Sequence, residues 1–442
     1  METPKKVTHV MKYEIQYNKE LYKLLREIQY KVWRIKNKST TIANDWQQFS
    51  FGYNERFGDF PKEKDITGTT LTTDVRKNVA EFGTLISSSI VATSSKEAVE
   101  KFKNSKNDII NGRGIIPSYR RDGSFPIRVS QIKNITKVNN KTYDAKFSLL
   151  SREGAKQQGV PTQTEVTLKT GGSAKDILEK VISGEYKMCD SRINNKKNKF
   201  YLLMVYQHEV NPKKLDENRI MGIDLGIKVP AMLAINDEKY YKIPVGSGKE
   251  INSFRNQIRD RKRRMQQQRK WCGEGSIGHG TKTRIKPLQK LRDKEANFNA
   301  TKNHNFSRYI VDEAVKNNCG VIQMEDLTGI AEGEKKGTFL GNWTYFDLQE
   351  KIKYKAEEVG IKVVKIKPDY TSQRCNHCGN IHKENRNAKV SQEKFKCVVC
   401  EHEANADVNA SKNIAMAGIE DIIKDQLKAQ EQAYAHAMKY SV

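Results

Sequence analysis

The sequence lacks the features that mark membrane and secreted proteins. Its 442 residues contain no run of about 18 apolar side chains, so no membrane-spanning helix is predicted. The first twenty residues have no apolar stretch of the kind found in a secretory signal. Cysteine is scarce, and seven cysteines in a long lysine-rich chain argue against a disulfide-stapled scaffold. We therefore expect a soluble intracellular protein, with a length that fits about three domains.

Acidic residues are also few relative to basic ones: 79 lysines and arginines against 53 aspartates and glutamates give a net charge of +26. Such a field indicates a polyanionic partner, either nucleic acid or an anionic membrane surface; a surface charged only for solubility is the alternative. The positive charge is densest in residues 255–294, which hold 14 basic and 3 acidic side chains. Five of these cations would fall on all sides of a helix, so we interpret them as phosphate contacts. They are Arg259, Arg261, Lys262, Arg263 and Arg264.

Two other segments carry weaker signals. Residues 273–280 are rich in glycine and predict a flexible loop that would cover an acidic site. They do not form a phosphate-binding P-loop, because no Lys-Ser or Lys-Thr pair comes directly after Gly280. Residues 46–60 are dense in aromatic side chains, which would either stack on bases or pack a small helical core, and we favour packing.

The pattern of elements differs between the two halves of the chain. Residues 1–215 predict a β-rich module with a helical insertion. The second half predicts three strands, helices, a strand, a helix, a strand, a cysteine-rich insert and a final helix. That order suits a mixed sheet of the RNase H type, so we predict an α+β multidomain fold.

Three acidic residues stand out by their placement. Asp224 lies in the apolar strand 220–225, where an isolated buried charge would be prohibitively costly. Glu325 closes the apolar strand 321–324, and Asp407 lies at a predicted helix start, where an ordinary first-turn acid is the alternative. Singly, each acid is well explained as structural. Together they fit phosphodiester hydrolysis, since carboxylates are the preferred ligands of a pair of divalent cations.

The cysteines give the most specific local signal. Two C-x2-C pairs separated by eighteen residues match a four-thiolate zinc site, in which zinc has a structural role because no coordination position stays open. The predicted ligands are Cys375, Cys378, Cys397 and Cys400. We interpret the remaining cysteines, Cys189, Cys272 and Cys319, as ordinary thiols.

Four short motifs occur in an order that resembles a known family. They are residues 222–226 (GIDLG), 323–327 (QMEDL), 370–375 (YTSQRC, leading into the C-x2-C pairs) and 405–410 (NADVNA). The chain resembles the miniature type V CRISPR effector nucleases of the V-F branch, which are similar to the transposon-encoded TnpB proteins. Softer similarity in residues 115–121 and 342–360 favours the CRISPR branch.

The resemblance implies a bilobed protein with four parts. They are a wedge-like β-barrel domain (1–15 and 112–215), a helical recognition domain (16–111), a RuvC-type nuclease domain with the RNase H fold (216–370 and 403–442) and a zinc-binding target-nucleic-acid module (371–402). The recognition region is short and lacks the amino-terminal C-x2-C pair of some relatives, which affects dimerisation and flanking-motif recognition rather than the chemistry.

The resemblance also implies an activity, namely guided cleavage of DNA in antiviral defence. Asp224, Glu325 and Asp407 would bind two Mg²⁺ ions and cut both strands of target DNA in turn, with a guide RNA choosing the target. Arg374, in the matching motif, would contact nucleic acid. The partners would be guide RNA, double-stranded target DNA and a second copy in an asymmetric homodimer, without a membrane, in the prokaryotic cytoplasm. The alternatives are a TnpB-like transposon nuclease and a non-cleaving zinc-ribbon protein that binds nucleic acid.

Overall fold

The computed structural model describes residues 5–210, 212–269, 281–327, 345–386 and 393–439. The strands in these ranges are β1 (Lys5–Ile15), β2 (Phe125–Ile127), β3 (Ile132–Lys137), β4 (Thr142–Phe147), β5 (Thr164–Lys169), β6 (Lys187–Lys196), β7 (Lys199–Val210), β8 (Asp216–Asp224), β9 (Ala231–Ile235), β10 (Glu238–Val245), β11 (Cys319–Glu325), β12 (Lys362–Ile366), β13 (Lys394–Lys396) and β14 (Glu403–Asn405). The α-helices there are α1 (Lys19–Phe57), α2 (Glu63–Thr67), α3 (Leu71–Asn78), α4 (Ser88–Ile110), α5 (Arg152–Gln158), α6 (Ser173–Ile182), α7 (Gly248–Arg269), α8 (Thr281–Lys316), α9 (Tyr345–Glu358), α10 (Ala406–Ile414) and α11 (Ile419–Lys439).

The chain divides into two units, residues 6–209 and residues 210–442 together with the first five residues. The mixed helix-and-strand, multidomain class predicted from the sequence is confirmed at this level. No helix in the described ranges is both long and apolar enough to cross a bilayer.

The first unit is built on a seven-stranded sheet with the order β2-β6-β7-β1-β5-β4-β3. Its longest helix, α1, begins after Asn18, whose side chain accepts a hydrogen bond from the N–H of Leu21 (3.0 Å). Apolar residues of α1 recur every three or four positions, so one face of the helix joins the core. The sheet contributes alternate residues, such as Phe200, Leu202 and Met204 of β7.

The aromatic segment 46–60 packs less well than predicted. Trp46 packs against the core, but Phe49, Phe57 and Phe60 are 45%, 60% and 52% exposed. The preference for a packed core is therefore wrong for these three rings. The last turns of α1 extend beyond the core, so their aromatic side chains pack mainly on one another.

The second unit contains a five-stranded sheet with the order β10-β9-β8-β11-β12. Strands β8, β11 and β12 are parallel, while β9 and β10 form an antiparallel hairpin beside β8. The predicted order of strands and helices in this half is confirmed. Ile223, Met324 and their neighbours on one face of the sheet pack against apolar residues of α8 and α9, such as Ile310 and Leu348.

Candidate active site and cysteine cluster

Two of the predicted acids, Asp224 and Glu325, lie side by side on the sheet. Strands β8 and β11 are parallel neighbours whose register pairs Ile223 with Met324, so Asp224 and Glu325 form the next pair along. Ile223 and Met324 point into the core beneath α8 and α9. Because side chains alternate along a strand, both acids project from the opposite face.

Helix α10 covers that opposite face and carries the third acid. A Cβ atom on Gly222 would lie 2.3 Å from the carbonyl oxygen of Ser411, so α10 rests directly on the backbone of β8, where only glycine fits. Asp407 precedes Ser411 by one helical turn, about 6 Å, and Asp224 follows Gly222 by about 6.6 Å of strand. The Oδ2 atom of Asp407 lies 3.5 Å from the Cβ position of Gly226, two residues beyond Asp224. The structure therefore brings together all three predicted acids.

The three carboxyl groups are half-buried, and this environment favours their protonated form. Burial, and then the charges of Glu325 and Asp407, raise the pKa of Asp224 well above its ordinary value. Burial likewise raises the pKa of Glu325 and of Asp407. Within the described chain, no side chain or N–H donates to the carboxylates of Asp224 and Asp407. Unpartnered carboxylates that converge on one face fit divalent cations.

The spacing of the acids differs from that of a closed metal cage. Within the described residues, only the four-cysteine group has ligand atoms that all lie within 4.8 Å of one another. The three carboxylates are spread more widely than this limit. A wider set of oxygen ligands suits a pair of ions better than one enclosed ion.

Two residues at this site, Thr371 and Arg386, were not predicted from the sequence. The hydroxyl of Thr371 donates a hydrogen bond to Oε1 of Glu325, and its carbonyl oxygen accepts one from Asn413 (2.9 Å). The charge of Arg386 lowers the pKa of all three acids, although burial outweighs it. Both residues lie in the cysteine-rich segment, far in sequence from Asp224 and Glu325. Thr371 lies in a motif noted for its cysteine, whereas no local pattern points to Arg386.

The four predicted zinc ligands come together as expected. The Sγ atoms of Cys375 and Cys400 are 3.8 Å apart, and those of Cys378 and Cys397 are 3.5 Å apart. Tetrahedral zinc with bonds of about 2.3 Å would space its sulfur ligands about 3.8 Å apart. The thiol set therefore fits one zinc ion.

The two C-x2-C pairs have the same backbone turn. The N–H of Gly379 donates to the carbonyl of Cys375 (2.9 Å), and the N–H of Glu401 donates to that of Cys397 (3.1 Å). Both donors have a left-handed backbone, with φ of +79° and +57°. The repeated turn explains why each pair presents its sulfur atoms toward the same point. Residues 387–392, between the pairs, lie outside the described ranges.

Helix α10 also anchors the cysteine-rich segment. Asn413 donates to the carbonyl oxygen of Arg374 (2.7 Å), and Asn409 donates to the same oxygen (2.8 Å). The guanidinium of Arg374 donates to Asn413 (2.7 Å) and to Gln426 (2.8 Å), and the residue is only 5% exposed. Arg374, predicted to contact nucleic acid, is therefore directed into the protein, and its position argues for a structural role.

The predicted phosphate contacts lie on α7, and their environments differ. Arg259, Arg261, Arg263 and Arg264 are exposed, as the prediction requires. Lys262 instead forms an ion pair with Glu295 of α8 (2.8 Å), so its ammonium group already has an anionic partner. The glycine-rich loop 273–280 and Cys272 lie outside the described residues. Cys189 and Cys319 are free thiols, as expected.

Comparison with known proteins identifies the family. The model of the Cas12f1-like TNB domain matches residues 345–414, which include the cysteine cluster and Asp407. The chain is 42% identical to a CRISPR-associated endodeoxyribonuclease Cas12f1 from Sulfoacidibacillus thermotolerans, over 93% of this chain and 96% of that protein. It is 35% identical to the Cas12f1 of Syntrophomonas palmitatica, over 70% of this chain and 69% of that one.

The fold agrees with this relationship. A cryo-EM structure of a Cas12f1–sgRNA–target DNA complex aligns with a TM-score of 0.66 at 20% identity, over 91% of this chain and 84% of that one. The likeness in fold and the extent of the sequence identity confirm the predicted relationship, and the chain belongs to the Cas12f1 family.

Proposed function

We propose that the protein is an RNA-guided DNA endonuclease that hydrolyses phosphodiester bonds at the site formed by Asp224, Glu325 and Asp407. The observation that carries the proposal is the convergence of these three acids on one face of the sheet, two of them without donors. The relatives reported above are named endodeoxyribonucleases, and the aligned structure is a complex with RNA and DNA.

The acids would hold two Mg²⁺ ions, which, when bound, supply Lewis-acid activation of water and of the scissile phosphate. Thr371 fixes the orientation of Glu325 through its hydroxyl group. Arg386 supplies a positive charge near all three acids and would offset the negative charge of a phosphate that enters the site.

The four cysteines would bind one structural zinc ion, because all four positions of a tetrahedral ion would be filled. Its function would be to hold residues 371–376 against α10. That segment includes Thr371, so the zinc site supports the active site indirectly.

We retain the finer domain assignment as part of this proposal. Residues 1–15 and 112–215 would form the wedge-like barrel and 16–111 the recognition domain. Residues 216–370 and 403–442 would form the RuvC-type domain, with the zinc module at 371–402. A guide RNA, target DNA and a second copy of the chain would be the partners, in the prokaryotic cytoplasm, and one active site would cut both strands in turn.

The first experiment is to purify the chain from cells that carry its native locus and to sequence the bound RNA. A repeat-plus-spacer RNA is expected, and the loaded protein should cut a matching duplex in Mg²⁺. Asp224→Ala should abolish cutting while guide RNA binding stays unchanged. A transposon-end RNA would favour the TnpB-like alternative. Absence of metal-dependent cutting under all conditions would favour a non-cleaving nucleic-acid-binding protein.

A further inference from the structure

A groove lined mainly by polar side chains begins beside the acidic site. It has a volume of about 700 Å³ and lies between the loop after Asp224 and the first turns of α7. A cavity of this size is in the range that holds a molecule as large as a nucleotide. Its lining residues are Ile227, Lys228, Gly248, Lys249, Asn252, Ser253, Asn256, Gln257 and Asp260.

The groove is joined to the acids through the loop that contains Lys228. The carbonyl oxygen of Lys228 accepts a hydrogen bond from the N–H of Gly248 (2.8 Å), where α7 begins. The side chain of Lys228 forms an ion pair with Glu393 (2.6 Å), and the charges of both residues act on the pKa of Asp407. A ligand in the groove would therefore be separated from the acidic site only by the short loop that contains Lys228.

Besides Lys249 and Asp260, the wall formed by α7 presents four uncharged hydrogen-bonding side chains. Asn252 is half-buried, whereas Ser253, Asn256 and Gln257 are exposed. None of these four side chains forms a hydrogen bond with another residue in the described part of the chain. The opposite face of α7 is occupied: Ile251 and Ile258 are buried, and Phe254 stacks on Phe298 of α8. The amide groups are thus free to bind a ligand.

The same helical face becomes positive farther from the acids. At 100° per residue, Arg259 and Arg263 continue the row of Asn252 and Asn256, after Asp260 closes the groove. The row from Asn252 to Arg263 covers about 16 Å, which is the length of about five stacked nucleotides. Amides can bind both phosphate oxygens and base edges, whereas guanidinium groups bind phosphate mainly through charge.

We propose that this groove binds the single-stranded segment of the DNA strand that is being cut, with Asn252 and Asn256 as positioning residues and the arginines holding the phosphates that follow. This proposal rests on the proposed nuclease function. The amide groups would hold the strand through hydrogen bonds, while Lys228 is already paired with Glu393.

The test uses the full-length, guide-loaded protein and the double variant Asn252→Ala/Asn256→Ala. Alanine is the better helix former, so α7 should be retained. The single-turnover rate of cutting a matched duplex should fall at least about tenfold, as expected for two lost hydrogen bonds. Affinity for guide RNA should stay unchanged. The variant Asn252→Ala/Asn256→Gln, which keeps one amide, should recover part of the rate. Gln432→Ala, which removes an exposed amide of α11, is the matched control.

A second measurement reports binding without cutting. In an Asp224→Ala background, the affinity for a labelled 12-nucleotide oligo-dT probe is measured by fluorescence anisotropy at several salt concentrations. The amide variant should bind about tenfold more weakly with an unchanged salt slope, because neutral groups release no counterions. Arg259→Ala/Arg263→Ala should instead reduce the slope by about 0.7 for each lost contact.

The outcomes separate this proposal from the nuclease function. Suppose that the wild-type protein cuts, that Asp224→Ala abolishes cutting, and that the amide variant has a normal cutting rate and normal probe affinity. This result would overturn the groove proposal and leave the nuclease function intact. Weaker guide RNA binding in the amide variant would assign the groove to RNA and would also overturn the proposal. If the wild-type protein cuts no guided target, the nuclease function fails, while the probe measurement still decides whether the groove binds a DNA strand.

Discussion

At the scale of single residues, the proposed active site includes a hydroxyl group that would not itself bind metal. Thr371 is fully buried and donates to Glu325 from the segment that leads into the first cysteine pair. A ligating carboxylate needs such a donor, because an unrestrained glutamate samples several rotamers. The hydroxyl therefore connects the order of the cysteine-rich segment to the orientation of Glu325, the acid that we propose to be catalytic.

We predict that Thr371→Val slows DNA cutting by about ten- to a hundredfold, the usual cost of losing a partner of a metal-binding side chain. Valine has nearly the same shape, so the loss reflects the hydroxyl group rather than a cavity. The measurement is the single-turnover cutting rate at several Mg²⁺ concentrations. Thr371→Ser keeps the hydroxyl and should retain most of the rate; equal loss in both variants would show that packing, not hydrogen bonding, is important.

Residues with a fixed chemical role could be predicted from the sequence, and residues with a positional role could not. A carboxylate inside an apolar strand is costly, so Asp224 stands out without a structure. The cysteine spacing likewise predicted the sulfur cluster. Arg386 and Asn409 act only through tertiary contacts. Arg374 was predicted to contact nucleic acid because it lies in a matching motif, but its side chain is buried.

At the scale of elements, the contact between α10 and β8 determines where Asp407 lies. Gly222→Ala would place a Cβ atom 2.3 Å from the Ser411 carbonyl oxygen and 2.3 Å from the Ala415 nitrogen, and these backbone atoms leave little room to relax. We predict a loss of about 2–4 kcal/mol in the free energy of unfolding, together with impaired cutting. Urea unfolding of the variant measures this loss.

The matched control is Gly52→Ala in α1, where no atom lies within 4 Å of the new Cβ. Alanine should stabilise that helix by about 1 kcal/mol. A Gly222→Ala variant that unfolds at the wild-type urea concentration would mean that α10 can shift away from β8.

A second relation between elements joins α1, α4 and β6 through one carboxylate. Glu97 accepts hydrogen bonds from Lys36 (2.6 Å) and Arg192 (2.7 Å). Burial alone would raise the pKa of Glu97, but these two cations outweigh it, so the pKa is lowered. A lowered folded-state pKa stabilises the fold above the unfolded value of about 4.5 and ceases to do so as the pH falls through the folded value.

We therefore predict that Glu97→Gln costs about 2–4 kcal/mol at neutral pH, because it leaves Lys36 and Arg192 without their anion. The variant should also lose less stability than the wild type between about pH 5 and pH 3. Urea midpoints across this range provide the measurement. Glu100→Gln, which removes an exposed partner of Lys96, is the control and should change little. Parallel pH curves for Glu97→Gln and wild type would contradict the assignment.

The cysteine-rich segment would depend on a bound zinc ion for folding. Its short hairpin, β13 and β14, buries only a few apolar residues, such as Phe395. We predict that Cys397→Ser, or removal of zinc by a chelator, unfolds this segment and thereby impairs cutting through Thr371. Hydrogen exchange of residues 393–405 before and after removal measures it, and Cys189→Ser is the control. Full protection without zinc would disprove a structural metal.

At the scale of the whole molecule, element order could be predicted but the meeting of distant segments could not. The periodicity of residues 216–442 gave the correct succession of strands and helices. The strand order β10-β9-β8-β11-β12, by contrast, brings together acids that lie 101 positions apart, since 325 − 224 = 101. That meeting depends on register and on a glycine contact, neither of which leaves a periodic signal. The excess of basic residues is visible in the composition. Only the fold distinguishes the exposed arginines of α7 from Lys262, which is paired with Glu295.

The net charge of +26 also leads to a prediction about how nucleic-acid affinity depends on salt. Direct contacts between cations and phosphates must be distinguished from the long-range field of the whole protein. Charges farther than about 10 Å from a ligand are screened at 0.1 M salt, so the slope of affinity against salt counts neutralised phosphates rather than total charge. With about six to ten phosphate contacts, nucleic-acid affinity should fall about 10³- to 10⁵-fold between about 50 and 200 mM salt. Anisotropy titrations with guide RNA measure the slope.

The control is Lys96→Ala, which lowers the net charge of the protein by removing an exposed lysine that is already paired, and it should leave the slope unchanged. A slope that changes with every removed lysine, wherever it lies, would show that the protein acts as a diffuse cation rather than through a defined contact surface.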